Sequence, residues 1–127
     1  MYDGVLKINF NVSEKMSALP LSEDKKLTVI FRVEPGCLGP EGSSHISQFC
    51  DFSQAEIRSS NSDYIIWNIV PRNDKSLPEM QYSLAGKRLS HAQAEKYLSM
   101  FGQDLDKLDS DFGDTLEALI NQYMKSI

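Results

Sequence analysis

Apolar and polar residues alternate in two stretches near the start of the chain. In residues 6–12 every second side chain is apolar, and residues 27–33 repeat the pattern with one interruption at Ile30. A period of two is typical of a β-strand with one face in the core and the other in water. The pattern therefore predicts two strands, and consecutive strands of this kind favour an antiparallel pair.

The most apolar run of the chain covers residues 64–70 and contains its single tryptophan, Trp67. It is rich in β-branched and aromatic residues and is stopped by Pro71, so it predicts a third strand, in the middle of the sheet. Both faces of this strand are apolar, with Asn68 as the exception. Since one layer of helices covers only one face, either a helix crosses behind the second face or another chain covers it, as a protein partner or in a homodimer.

The segment after the second strand has helical spacing. Ser43 or Ser44 is a suitable N-cap, and apolar residues three and four positions apart predict a helix that ends near residue 59. Downstream of the apolar run, residues 80–84 predict a short fourth strand. Residues 85–87 predict a tight turn, because Ala-Gly-Lys between two short apolar segments favours a chain reversal.

Two further helices follow that turn. Ser90 and Gln93 match the capping box, in which each side chain bonds the backbone N–H of the other residue, so a helix is expected to begin at His91. Apolar residues spaced by threes and fours predict a last helix over residues 104–125. Its first half is acidic and it ends near a lysine, an order that complements the helix dipole.

These elements predict an α+β fold in the order ββαββαα. It is a two-layer sandwich in which three helices cover one face of a mostly antiparallel four-stranded sheet. With 127 residues, 41% of them hydrophobic and 24% charged, the chain has the composition of one globular domain spanning residues 1–127.

The charge balance weighs against nucleic acid as a partner. Thirteen basic and 18 acidic residues give a net charge of −5, whereas a nucleic-acid surface requires basic side chains clustered on one face. Strongly salt-dependent binding to DNA or RNA would be the sign of such a face. It would have to assemble from scattered residues, namely Lys7, Lys25, Lys26, Lys87 and Arg88.

The location expected from the sequence is cytoplasmic. No apolar run approaches the ~20 residues that a membrane helix needs, and the first residues do not resemble a signal peptide. The spacing of Cys37 and Cys50 fits neither a disulfide framework nor a zinc site, so reduced thiols, no metal and no cofactor are expected. In these respects the chain resembles small bacterial cytosolic proteins.

Residues 34–42 contain three glycines and two prolines, which predicts a shaped loop between the second strand and the first helix. Cys37 is a candidate nucleophile there, because a helix N-terminus stabilises a thiolate. Gly39 and Gly42 belong to a Gly-x-x-Gly-x-x-Gly spacing at a position where phosphates bind. The spacing is neither a P-loop nor a dinucleotide motif, and an ordinary structured loop is the simpler interpretation.

Arg72 follows the apolar strand directly, where loops often carry function. If the strands over 27–33 and 64–70 are neighbours, residues 72–75 form a polar patch beside the glycine-rich loop. The simpler alternative is an ordinary polar turn. The candidate binding residues are therefore Cys37, Gly39, Gly42, Arg72 and Trp67, and no catalytic residue is assigned.

Two functions remain open on the sequence. The first is a non-enzymatic protein-interaction or regulatory module. Chaperones of secreted proteins are one special case of it, since they are often small, acidic, dimeric α+β domains, although they commonly begin with a helix. The alternative is a thiol-dependent or small-ligand-binding enzyme that uses Cys37 in its loop. No motif of the sequence secures either function.

Overall fold

A computed structural model describes residues 19–57 and 63–127 of the chain. The strand predicted over residues 6–12 and the last residues of the first predicted helix lie outside the described residues. Two short 3-10 turns cover Glu23–Lys25 and Pro35–Leu38. The strands and helices are β1 Leu27–Val33, α1 Gly42–Ile57, β2 Ile65–Pro71, β3 Met80–Leu84, β4 Lys87–Leu89, α2 His91–Ser99 and α3 Leu105–Ser126.

The four strands form one sheet in the order β2-β1-β3-β4. Strands β1 and β2 are parallel, since α1 carries the chain back between them, whereas β1–β3 and β3–β4 are antiparallel. The predicted α+β class, with three helices and a mostly antiparallel four-stranded sheet, is confirmed. The order among the described elements is βαβββαα, because the brief return at Lys87–Leu89 is a strand of its own.

The apolar run is a strand as predicted, but it is not central among the described strands. Strand β2 lies at one end of that sheet and pairs with β1, while the inner positions are taken by β1 and β3. Composition does not distinguish the two strands, because β1 and β2 are both apolar. Of the two, β1 pairs along both edges, with β2 and β3, whereas β2 pairs with β1 alone among the described strands.

Alternate residues of the strands and one stripe of each long helix form a single core. Trp67 stacks on Phe112 of α3 with a ring separation of 4.4 Å, and Phe31 meets the same ring edge-on at 5.1 Å. Fully burying side chains of this size contributes roughly 1.5–3 kcal/mol each. The buried core also includes Leu27, Val29, Val33, Ile46, Phe49, Cys50, Ile57, Ile65, Ile69, Leu105, Leu108, Leu116, Leu119 and Tyr123.

The opposite face of the sheet carries the intervening residues. On β1 and β2 these include the partly exposed Ile30 and Ile66 and the exposed Val70, while Arg32 and Gln81 lie on the β1–β3 side. This face therefore combines an aliphatic half with a polar half, and the described helices pack on the other side.

Local signals predicted the starts of α2 and α3, whereas α1 begins at Gly42, ahead of the predicted caps Ser43 and Ser44. The Ser90 side chain accepts from Gln93 N at 3.1 Å and the Gln93 side chain accepts from Ser90 N at 2.8 Å, so the predicted capping box is confirmed. Asp104 caps α3 by accepting from the backbone N–H groups of Asp106 and Lys107. Each cap satisfies donors that the first helical turn leaves without intrahelical partners.

Candidate functional site

The carboxyl ends of β1 and β2 meet at one edge of the sheet, because the two strands are parallel and adjacent. Val33 pairs with Pro71, and Arg72 N donates to Val33 O at 2.9 Å. The glycine-rich loop and the loop after β2 therefore leave the sheet side by side, which is the arrangement the sequence required for a shared patch.

Arg72 is engaged in holding these two loops together. Its guanidinium lies 3.5 Å from the Glu34 carboxylate and donates to Leu77 O at 3.1 Å. Lys75 approaches the same carboxylate at 3.9 Å. Arg72 thus forms an ion pair with Glu34 and hydrogen bonds within its own loop, while its Nε and Glu34 Oε1 are buried without a hydrogen-bond partner among the described residues. Its role in binding stays a prediction.

The shape of the glycine-rich loop explains its glycines. Gly39 has φ +88°, a left-handed conformation that glycine tolerates best. A Cβ at Gly42 would lie 1.7 Å from Pro35 O, so no other residue fits there without moving the backbone. Leu38 is buried, and Cys37 is exposed with a free thiol. The enzymatic use of Cys37 stays a prediction.

The remaining predicted residue, Trp67, lies apart from this patch. It is 4% exposed and its ring stacks on Phe112 in the core, and its role in binding stays a prediction. The other cysteine, Cys50, is buried, and burial raises the pKa of its thiol to about 11. The structure thus brings Cys37, Gly39, Gly42 and Arg72 to one edge of the sheet and keeps Trp67 inside.

A second region, which the sequence did not single out, has an open cavity. We call it the β3 cleft. Its volume is about 480 Å3, and it lies where β3 extends beyond the end of β4. Its lining combines aliphatic, aromatic and cationic side chains, contributed by Pro78, Met80, Gln81, Tyr82, Arg88, Leu89, Ser90 and His91.

The free end of β3 follows from the strand register. The last pair between β3 and β4 is Tyr82 with Leu89, so Met80 extends past the pairing. Arg32 N donates to Glu79 O at 2.8 Å. Peptide groups alternate between the two sides of an antiparallel strand, so those of Met80 point away from β1, toward the cleft.

The capping box of α2 is the reason that β4 stops early. To continue the ladder, Ser90 and His91 would have to run beside β3. Instead the Ser90 N–H is bonded to the Gln93 side chain, and His91 is the first residue of the helix. A strong helix start therefore pulls the chain away from the strand and leaves the end of β3 open.

Arg32 makes the open end rigid. This β1 residue donates to Pro78 O at 2.7 Å and to the Gln81 side chain at 3.1 Å. These two bonds, together with the ladder to β1, hold the segment before and within β3 in an extended conformation. An extended backbone that is already ordered loses less conformational entropy when a partner binds.

A polar cluster lies behind the cleft. Tyr82 donates to Asp109 at 2.7 Å, and the His91 ring meets the Tyr82 ring edge-on, with 5.6 Å between centroids. His91 Nε2 lies 3.3 Å from Asp106 Oδ1. Burial raises the pKa of Tyr82, so its hydroxyl keeps its proton and remains a donor at neutral pH.

Asp109 is the carboxylate of this cluster whose pKa is shifted. Burial raises the pKa of its carboxyl group, and the hydrogen bond from Tyr82 and the nearby His91 oppose that shift. Its Oδ1 is buried and has no hydrogen-bond partner among the described residues. The carboxylate lies on α3, behind the lining of the cleft, so it supports Tyr82 rather than contacting an occupant.

Arg88 differs from the other cations of this region. It lines the cleft, is exposed, and its side chain makes no hydrogen bond or ion pair with the part of the chain that the structure describes. Arg32, in contrast, is held by Pro78 and Gln81. The sequence contained one usable signal for this site, namely a capping box placed directly after a three-residue strand.

Other chemistry finds no support in the described residues. Among residues 19–57 and 63–127, no three His, Cys, Asp or Glu side chains converge as a metal site would require, and no helix there is long and apolar enough to cross a membrane. No family model, no curated protein and no solved structure matches the chain significantly. The function must therefore be argued from the site itself.

Proposed function

We propose that the chain is a non-enzymatic protein-interaction module that binds an extended segment of a partner protein in the β3 cleft. The observation that carries the proposal is the free end of β3. There Met80 directs its N–H and C=O into an open cavity instead of toward β4. A strand from another chain satisfies such groups by extending the sheet, with main-chain bonds supplying affinity.

The surroundings of Met80 suit this mode of binding. The strand is ordered on its inner side by β1 and Arg32, and the cavity is large enough for a short peptide segment. Aliphatic groups of Pro78 and Leu89 offer apolar surface on either side. The chain would act in the cytoplasm, where Cys37 and Cys50 stay reduced, as both are free thiols in the structure.

The test removes the Met80 N–H without removing the strand. Met80→Pro deletes that donor, and proline is tolerated where the N–H of an edge strand points outward. Met80→Ala is the matched control, because it truncates the same side chain and keeps the N–H. Peptides would first be selected from a random octapeptide display library on the unmodified protein.

Selected peptides are expected to bind the unmodified protein and Met80→Ala within about threefold of each other. They should bind Met80→Pro at least tenfold more weakly, since one central main-chain bond and its neighbours are lost, roughly 1.5 kcal/mol. Circular dichroism melts would establish that both variants fold. Equal binding to Met80→Pro, or a failure to select any peptide, would contradict the proposal.

A homodimer stays a prediction. The surface that motivates it is the aliphatic half of the sheet face that no described helix covers, with Ile30, Ile66 and Val70. Solution mass measured across a dilution series distinguishes 14.3 kDa from twice that value. This question is separate from the β3 cleft, which lies at the other end of the described sheet.

A further inference from the structure

We infer that the segment bound in the β3 cleft carries an acidic side chain that pairs with Arg88, flanked on both sides by apolar residues. This inference rests on the proposed function and names the chemistry of its partner. It follows from two observations about the cleft. The guanidinium group of Arg88 is not engaged by the described residues, and side chains of an extended strand alternate between the two faces of a sheet.

The first observation concerns charge. Of the two nitrogen-bearing side chains at this end of the cleft, His91 already lies beside Asp106, whereas the Arg88 side chain has no hydrogen-bond or ion-pair partner among the described residues. Arg32, behind the strand, is also engaged. A guanidinium group presents paired N–H donors that match the two oxygens of a carboxylate. The net charge of −5 belongs to the whole chain, and charges more than a Debye length of ~8 Å away are largely screened.

The second observation concerns direction. Arg88 pairs with Ser83 and therefore lies on the face of the sheet opposite the described helices, together with Gln81. Leu89 pairs with Tyr82 and lies on the helix-covered face. An added strand sends successive side chains to these two faces in turn. We therefore expect the acidic residue to lie on the face of Arg88. The residues immediately before and after it then lie on the other face, toward Leu89 and the aromatic rings beyond it.

The probe is a set of synthetic heptapeptides with blocked ends, Ser-Thr-Val-X-Val-Thr-Ser, in which X is Glu, Gln or Lys. Blocking removes the terminal carboxylate, so only the side chain at X supplies a negative charge. A fourth peptide has Gln at X and a free carboxyl end. Affinities would be measured by fluorescence polarisation at low and physiological salt for the unmodified protein and three variants.

The Glu peptide is expected to bind the unmodified protein about fivefold more tightly than the Gln peptide, because an Arg–carboxylate pair at a partly covered site is a modest interaction. The Lys peptide should bind most weakly. Arg88→Gln should make the Glu and Gln peptides equal. Lys87→Gln, which removes the same charge from the same strand outside the cleft, should leave the preference unchanged.

The outcomes separate this inference from the proposed function. If all peptides bind equally and Met80→Pro abolishes binding, strand addition stands and the acidic preference is wrong. If the preference survives Arg88→Gln, Arg88 is not its source and the inference fails. A free-ended Gln peptide that binds as well as the Glu peptide would assign the site to a terminal carboxylate instead. Binding that Met80→Pro leaves intact contradicts the proposed function itself.

Discussion

The strand edges at the two ends of the described sheet differ, because one is bonded by a side chain and the other is open. At the β2 end, the Gln54 side chain of α1 donates to Trp67 O at 2.7 Å and accepts from Ile69 N at 2.8 Å, so one amide occupies the position of a neighbouring strand. At the other end, β4 leaves the sheet after Leu89 and Met80 of β3 has no partner on β4.

This difference is the basis for placing the proposed binding site at the end of β3. An uncovered strand edge is a template for pairing with any extended chain, and proteins commonly block it. At β2 the blocking is done by the side chain of Gln54. The open segment of β3 is short, and Arg32 holds it in an extended conformation. A short, ordered strand edge suits the binding of one partner segment better than a long, disordered edge would.

The largest expected effect comes from removing the Gln54 amide that bonds the edge of β2. Gln54→Leu takes away both bonds and leaves the Ile69 N–H without its acceptor in a partly buried position. We expect the free energy of unfolding to fall by about 2–3 kcal/mol, since the loss combines two hydrogen bonds with the desolvation of a backbone group. Urea denaturation measures the change.

Glu56→Leu is the matched control for this substitution, because Glu56 is exposed on the same helix. It should change the free energy of unfolding by less than about 0.5 kcal/mol. A Gln54→Leu variant as stable as its control would mean that the amide bonds to β2 do not stabilise the fold.

A smaller, pH-dependent effect on the free energy of unfolding is expected from Asp109, which lies behind the β3 cleft. The pKa of Asp109 is raised in the folded protein, mainly by burial. The folded state therefore keeps this proton to a higher pH than the unfolded state, in which the pKa is about 3.9. The sign is that stability falls as pH rises from the unfolded pKa to the folded pKa, and the loss persists above that window.

Asp109→Asn removes this titration. The free energy of unfolding of Asp109→Asn relative to the unmodified protein should therefore increase as pH rises from about 4 toward neutrality, as measured by urea denaturation at several pH values. Asp114→Asn, at an exposed position of the same helix, should show little pH-dependent difference. A relative stability that decreases with pH would show that the site favours the carboxylate.

The smallest expected effect concerns the turn that joins β3 to β4. Ala85 and Gly86 have φ values of +52° and +84°, as a type I′ hairpin turn requires, and alanine adopts this conformation less readily than asparagine. Ala85→Asn should raise the free energy of unfolding by about 0.5 kcal/mol. Ala118→Asn, on an exposed face of α3, should lower it, because asparagine is the poorer helix former. Thermal melts compare the two.

Local interactions account for what could be predicted. The capping box at Ser90 and Gln93, the helix over Leu105–Ser126 and the strand Leu27–Val33 each depend on residues a few positions apart. The predicted patch of Cys37, Gly39, Gly42 and Arg72 depended on one assumption, that two strands are neighbours. Their parallel pairing was not foreseen, because an alternating pattern does not record which strand lies beside it.

The sequence by itself determined the class of fold and most element boundaries, because periodicity, caps and turn residues act within one or two turns of the chain. Tertiary structure alone decided that Gln54 reaches β2, that Arg32 braces Pro78 and Gln81, and that Met80 opens into a cleft beside Arg88. The hydrogen bonds of Gln54 and Arg32 join residues 13 to 49 positions apart. They exist only once the sheet order is set, and that order depends on the packing of the whole core.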